Sequence, residues 1–145
     1  MIDFIENSPV SILDFAFQAS GGDGVVSDEE IRTLTLNNEQ LIYIFNRLGV
    51  LSGLNDQSIE TEEQLANEYL SLVSNNEVQF SLENFNNASE RITAISLQPL
   101  ALAFALKVAG SDGLHTEELK LINAQKEEWS CEDEDIDHHL SELDQ

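Results

Sequence analysis

The 145-residue chain has few of the residues that would cross-link it or draw it to a polyanion. A single cysteine, Cys131, excludes an internal disulfide framework and any zinc site built from several thiolates. Six Lys and Arg stand against 28 Asp and Glu, a formal net charge of -22. Such a surface repels phosphate backbones and anionic lipid headgroups, so no nucleic-acid partner is expected; a cation or a basic protein partner is favoured instead. The longest apolar run, Leu100 to Leu106, is about seven residues where a membrane span needs about 20, so no integral membrane association is expected. Met1 to Glu6 carries acids where a secretory leader needs basic residues. The expectation is a cytoplasmic protein.

The usual catalytic signatures are missing too. There is no Gly-Xaa-Ser-Xaa-Gly elbow, no P-loop and no dinucleotide fingerprint. Gly21-Gly22-Asp23-Gly24 is glycine-rich, but its acid repels phosphate. Cys131 lies near Glu127, Glu128, Glu132 and Asp133, which hold a thiol protonated and unreactive. Carboxylates are so abundant that no particular pair stands out as a general acid and base. A non-enzymatic protein is expected, with a carboxylate hydrolase ranked behind.

What is present is a helical rhythm. Apolar residues make up 41% of a chain of single-domain length, so residues 1–145 are expected to form one domain with a real core. In Val10-Ser11-Ile12-Leu13-Asp14-Phe15-Ala16-Phe17 the apolar positions fall at three- and four-residue spacings, behind Ser8-Pro9 as a helix start. Ser27 with Glu30 three residues later is a capping box. Further helices are expected from Leu41 to before Gly49, from Thr61, from about Ser81 to Asn87, from about Leu97 to Ala109, from a Thr116 cap to about Lys126, and from Glu132 to Leu143. Segments 51–60 and 74–90 are the loop candidates, and Val78-Gln79-Phe80 is ambiguous. The reading is all-α, with seven or eight helices.

A repeat overlies this pattern. Phe15-Ala16-Phe17-Gln18-Ala19-Ser20-Gly21-Gly22-Asp23-Gly24 recurs as Phe104-Ala105-Leu106-Lys107-Val108-Ala109-Gly110-Ser111-Asp112-Gly113. Each copy runs on into a capping residue, acids and an apolar helix, Ser27-Asp28-Glu29-Glu30-Ile31 and Thr116-Glu117-Glu118-Leu119. This twice-used helix, Asp-Gly turn and acid-started helix resembles the TerB-like family of tellurite-resistance proteins over nearly the whole chain. The resemblance implies a compact multi-helical domain, acidic residues to which divalent-cation binding is ascribed, and a stress-response or tellurite-resistance setting. The second copy departs from the pattern: six residues separate Asp23 from Glu30, five separate Asp112 from Glu118, and Leu119 stands where the family places its Glu.

The first turn can be set against an EF-hand loop. With Asp23 at loop position five, Gly24, Val26 and Glu30 fall on positions six, eight and twelve. Ala19 and Gly21 occupy the first and third positions, where ligands are required, so this is not an EF-hand. Two readings stay open. Asp23, Glu30, Asp112 and Glu118 hold a divalent cation, with hard oxygen donors favouring Ca2+ or Mg2+; or Asp23 and Asp112 make turns while Glu30 completes a cap. His115, midway between Asp112 and Glu118, fits a mixed site or, more simply, an exposed turn. His138 and His139 are adjacent, about 100° apart on a helix, and form with Asp135 at most a surface clip. Residues 127–144 hold nine acids and no Lys or Arg, a solvated face or a docking surface for a basic protein.

Overall fold

The computed structural model describes residues 6–22, 24, 26–52 and 59–144, with side chains described for all of these except 49–52 and 59–61. Among the described residues there are eight α-helices and no strand: α1 (Pro9–Ser20), α2 (Asp28–Leu36), α3 (Asn38–Ser52), α4 (Ile59–Ser74), α5 (Leu82–Glu90), α6 (Gln98–Ala109), α7 (Thr116–Trp129) and α8 (Asp133–Leu143). A 3-10 turn, Gly110–Asp112, follows α6. The chain is all-α, as its periodicity predicts.

The centre of the fold is α1 against α6, the most extensive helix pair. All twelve residues of α1 are buried, and α6 is apolar nearly all round. A helix without a polar face has to be enclosed by other helices. Accordingly α4 and α5 pack on α1, α7 and α8 on α6, and α2 touches both. One hydrophobic cluster draws on every helix, from Phe15 and Phe104 at the centre to Leu34, Ile44, Tyr69, Phe85, Ile122 and Ile136 around it. Phe15 stacks at 5.3 Å between ring centres on both Phe85 and Trp129.

Burying α1 whole takes Asp14 into the core. Tyr69 donates from its hydroxyl to Asp14 Oδ1 at 2.8 Å, and Arg91 reaches Oδ2 at 3.1 Å. Burial pushes the Asp14 carboxyl above its usual range, while Tyr69 and Arg91 pull it back. The same burial, with Asp14 beside it, holds the Tyr69 hydroxyl well above its ordinary pKa. A carboxylate on an otherwise apolar helix signals a buried partner, and here it ties α1 to α4 and α5. Gln18 has a parallel role: its amide donates to Gln79 O at 2.9 Å and accepts from the Ser81 N–H at 3.2 Å. That pins the segment 78–80, which is neither helix nor strand.

Some boundaries differ from the sequence expectation. Helix α3 runs through Gly49 to Ser52, because one interior glycine costs about 1 kcal/mol, less than breaking the hydrogen-bond ladder. Helix α4 starts at Ile59 and α5 extends to Glu90, so of the expected loop 74–90 only its first part is irregular. In the other loop candidate, 53–58 lie outside the described residues. On α8, Glu142 turns inward to Arg47 of α3 and to His139 Nδ1 at 2.8 Å, while the other eight acids of residues 127–144 are exposed.

Replacing Tyr69 by Phe removes the hydroxyl donor from a buried carboxylate. Urea denaturation should show a loss of about 2 kcal/mol with an unchanged m-value. A loss below about 0.5 kcal/mol would mean that Arg91 and Gln18 satisfy Asp14 without the hydroxyl.

Candidate functional site: two buried capping glutamates

Helices α2 and α7 begin in the same way. At α2 the Glu30 N–H donates to Ser27 Oγ at 3.2 Å, and Glu30 Oε1 accepts the Ser27 N–H at 2.8 Å. At α7 Glu118 Oε1 accepts the His115 N–H at 3.1 Å. The cap is therefore His115 and not Thr116: His115 has the extended backbone of a cap (φ -81°, ψ 151°), and Thr116 is already the first helical residue.

The turns ahead of these caps also match. Gly24 donates to Gly21 O at 2.8 Å, and Gly113 to Gly110 O at 3.2 Å. Gly24 and Gly113 have φ of 100° and 98°, a region that disfavours any side chain. From Gly24 to Ser27 is three residues, and from Gly113 to His115 two. The missing residue is thus lost from the loop, upstream of the cap. Glu118 occupies the capping position that Glu30 holds in the first unit, whereas Leu119 points outward and is partly exposed.

Close packing then joins the two helix starts. A Cβ on Gly22 would lie 3.0 Å from Leu121 Cδ1 and 3.1 Å from both Glu117 O and Glu118 Cα. Any side chain there would have to push these neighbours back by a few tenths of an ångström. Glu30 and Glu118 are left 1% and 0% exposed. Their carboxyl groups are close enough to act on one another directly. Burial, then that contact and the charges of Glu118 and Asp112, raise the Glu30 pKa to about 8 against the lowering effect of the Ser27 N–H. Two carboxyls this close and this dry share a proton, because both cannot ionise without a counter-charge. Oε1 of Glu30 serves the cap; Oε2 is buried and receives no protein donor.

Asp112 and His115 sit on the solvent side of this pair. His115 Nε2 lies 3.9 Å from Asp112 Oδ1. One ligand atom each from Asp112, His115 and Glu118 lies within 4.8 Å of the others. Of the four acids that the sequence singles out, Glu30, Asp112 and Glu118 come together, and Asp23 lies outside the described residues. His115 joins the group because the shorter second loop makes it the cap, which spacing alone does not reveal.

The remaining candidates fall elsewhere. His139 is buried against Glu142, and burial, with His138 and Arg47 nearby, lowers its pKa to about 4. His138 stays exposed, 3.4 Å from the same carboxylate. Both line a cavity with Trp129, Cys131 and Asp135. Burial and Asp135 raise the Cys131 pKa, which keeps the thiol protonated.

No protein-family model, curated protein or solved structure matches the chain.

The paired glutamates make stability depend on pH. The fold keeps the shared proton up to about pH 8, whereas a glutamate in the unfolded chain releases it near 4.5. Between those values the folded protein binds more protons, so stability falls as pH rises, by at most about 1.4 kcal/mol per unit. His139 has the opposite sign: the unfolded chain takes up its proton below about 6.5, the fold only near 4, so stability rises with pH across that interval. In chelator-treated buffer, melting temperature should fall from pH 6.5 to 8. Glu30→Gln, which can still cap, should flatten that decline, and an equal slope in the variant would exclude the pair as its source.

Proposed function

We propose that the chain is a non-enzymatic, TerB-like protein that binds a divalent cation at the junction of its two Asp-Gly units, in a stress or tellurite-resistance setting. The observation that carries this reading is the burial of Glu30 beside Glu118 with Glu30 Oε2 undonated, and Asp112 at the rim. Three carboxylates from two chain segments 82 or more residues apart suit a doubly charged ion far better than they suit one another. Oxygen donors fit Ca2+ and Mg2+, with Asp23 the further ligand that the repeat suggests. When bound, such an ion neutralises the buried charge and stiffens the junction of α2 and α7. Family assignment rests on the sequence repeat.

A second reading follows from the exposed acids of α7 and α8. Glu127, Glu128, Glu132, Asp133, Glu134, Asp135, Asp137 and Asp144 all face solvent, and Lys126 and Lys107 pair with Asp133 and Asp144. This face suits a basic protein partner, held by attraction that weakens with salt. No described helix is long and apolar enough to cross a membrane.

Amide NMR during Ca2+ or Mg2+ titration at pH 8 should move Gly24 and Gly113 saturably at millimolar ion, and Glu30→Gln should abolish the shift. Absence of a shift with any divalent ion overturns the cation reading. Capture of a basic protein that survives chelator and is lost in salt would favour the acidic face.

A further inference from the structure

We infer that His115 is a metal ligand, so that the junction selects an imidazole-accepting divalent ion of the Zn2+ class over Ca2+ and Mg2+. The inference rests on the cation reading above and specifies which ion that site takes.

The donor set is what changes the chemistry. Ca2+ and Mg2+ take oxygen almost exclusively, whereas imidazole nitrogen suits zinc and its neighbours in the transition series. His115 presents Nε2 3.9 Å from Asp112 Oδ1, and both lie within 4.8 Å of a Glu118 oxygen. Ligands about 2.1 Å from a tetrahedral ion stand about 3.4 Å apart, so small side-chain rotations close these three atoms onto one centre. Beneath them Glu30 is 1% exposed, with an Oε2 that receives no protein donor and a carboxyl that feels the charges of Glu118 and Asp112. One nitrogen and two carboxylate oxygens make three protein ligands, and a water completes the tetrahedron.

Backbone geometry holds that set in place. His115 is fixed by its own N–H bond to Glu118 Oε1, so the imidazole and a carboxylate ligand are tied within one helix turn. Asp112 closes the 3-10 turn whose Gly113 redirects the chain at φ 98°. In the first unit Ser27 stands at the cap where the second has His115, so only one imidazole enters the junction. This asymmetry sets a Zn2+-type site apart from a symmetric all-carboxylate one.

The test is calorimetry with Zn2+, Ca2+ and Mg2+ on the full chain, compared with His115→Asn. Asparagine is a good helix cap, so the variant keeps the α7 start, checked by its helical circular dichroism. The native chain should bind Zn2+ at least about 100-fold more tightly than Ca2+. His115→Asn should weaken Zn2+ at least about tenfold and leave Ca2+ and Mg2+ within about twofold. Zn2+ should also move the Gly113 amide, which separates this site from the His138–Cys131 cavity. Equal affinity for all three ions, or Zn2+ binding unchanged in His115→Asn, overturns the inference while the cation reading stands. Failure of every divalent ion to bind overturns both.

Discussion

The packing of α1 on α6 is the constraint from which the rest follows. Each helix is apolar around almost its whole circumference, so neither can lie at the surface, and each ends in a glycine turn leading to a new helix. Pressing the two helices together brings their turns, and the helix starts beyond them, to one end of the core. There Gly22 lets the first turn approach the backbone of Glu117 and Glu118. The capping glutamates then have nowhere to point except toward one another. A local device for satisfying helix N–H groups becomes, through tertiary packing, a buried pair of acids.

That pair is held differently from the buried acids Asp14 and Glu142. Asp14 is buried too, but Tyr69 and Arg91 answer it, and Glu142 is answered by Arg47 and His139. Glu30 and Glu118 have cap N–H donors and each other. Keeping such a pair in a chain with 28 acids and six basic residues means that a proton or a cation must supply the missing positive charge. The site and the acidity of the chain are therefore separate matters: most of the -22 is spread over solvated faces such as α7 and α8, and only a small part is buried.

Much of the helical architecture was legible because it is written in local pattern. Three- and four-residue apolar spacing marked α1, α4 and α6, and Ser27 with Glu30 marked the start of α2. Where the structure departs from the local pattern, a weak local signal loses to a longer-range term. Gly49 does not stop α3, and the backbone makes His115, not Thr116, the cap of α7. The partners of Asp14, Tyr69 and Arg91, lie 55 and 77 residues away and leave no mark beside it.

Helix period, charge and turn chemistry are properties of neighbouring residues, so a helical, acidic chain with two Asp-Gly turns, and Glu30, Asp112 and Glu118 beside them, can be read from the residues alone. That Glu30 and Glu118 meet, that the shortened second loop leaves Glu118 as the partner of Glu30, and that His115 stands near them are outcomes of the folded packing. Those outcomes depend on how closely α1 and α6 approach and on which side of each helix start faces inward. Both are set by packing between segments some 90 residues apart, which no local pattern encodes.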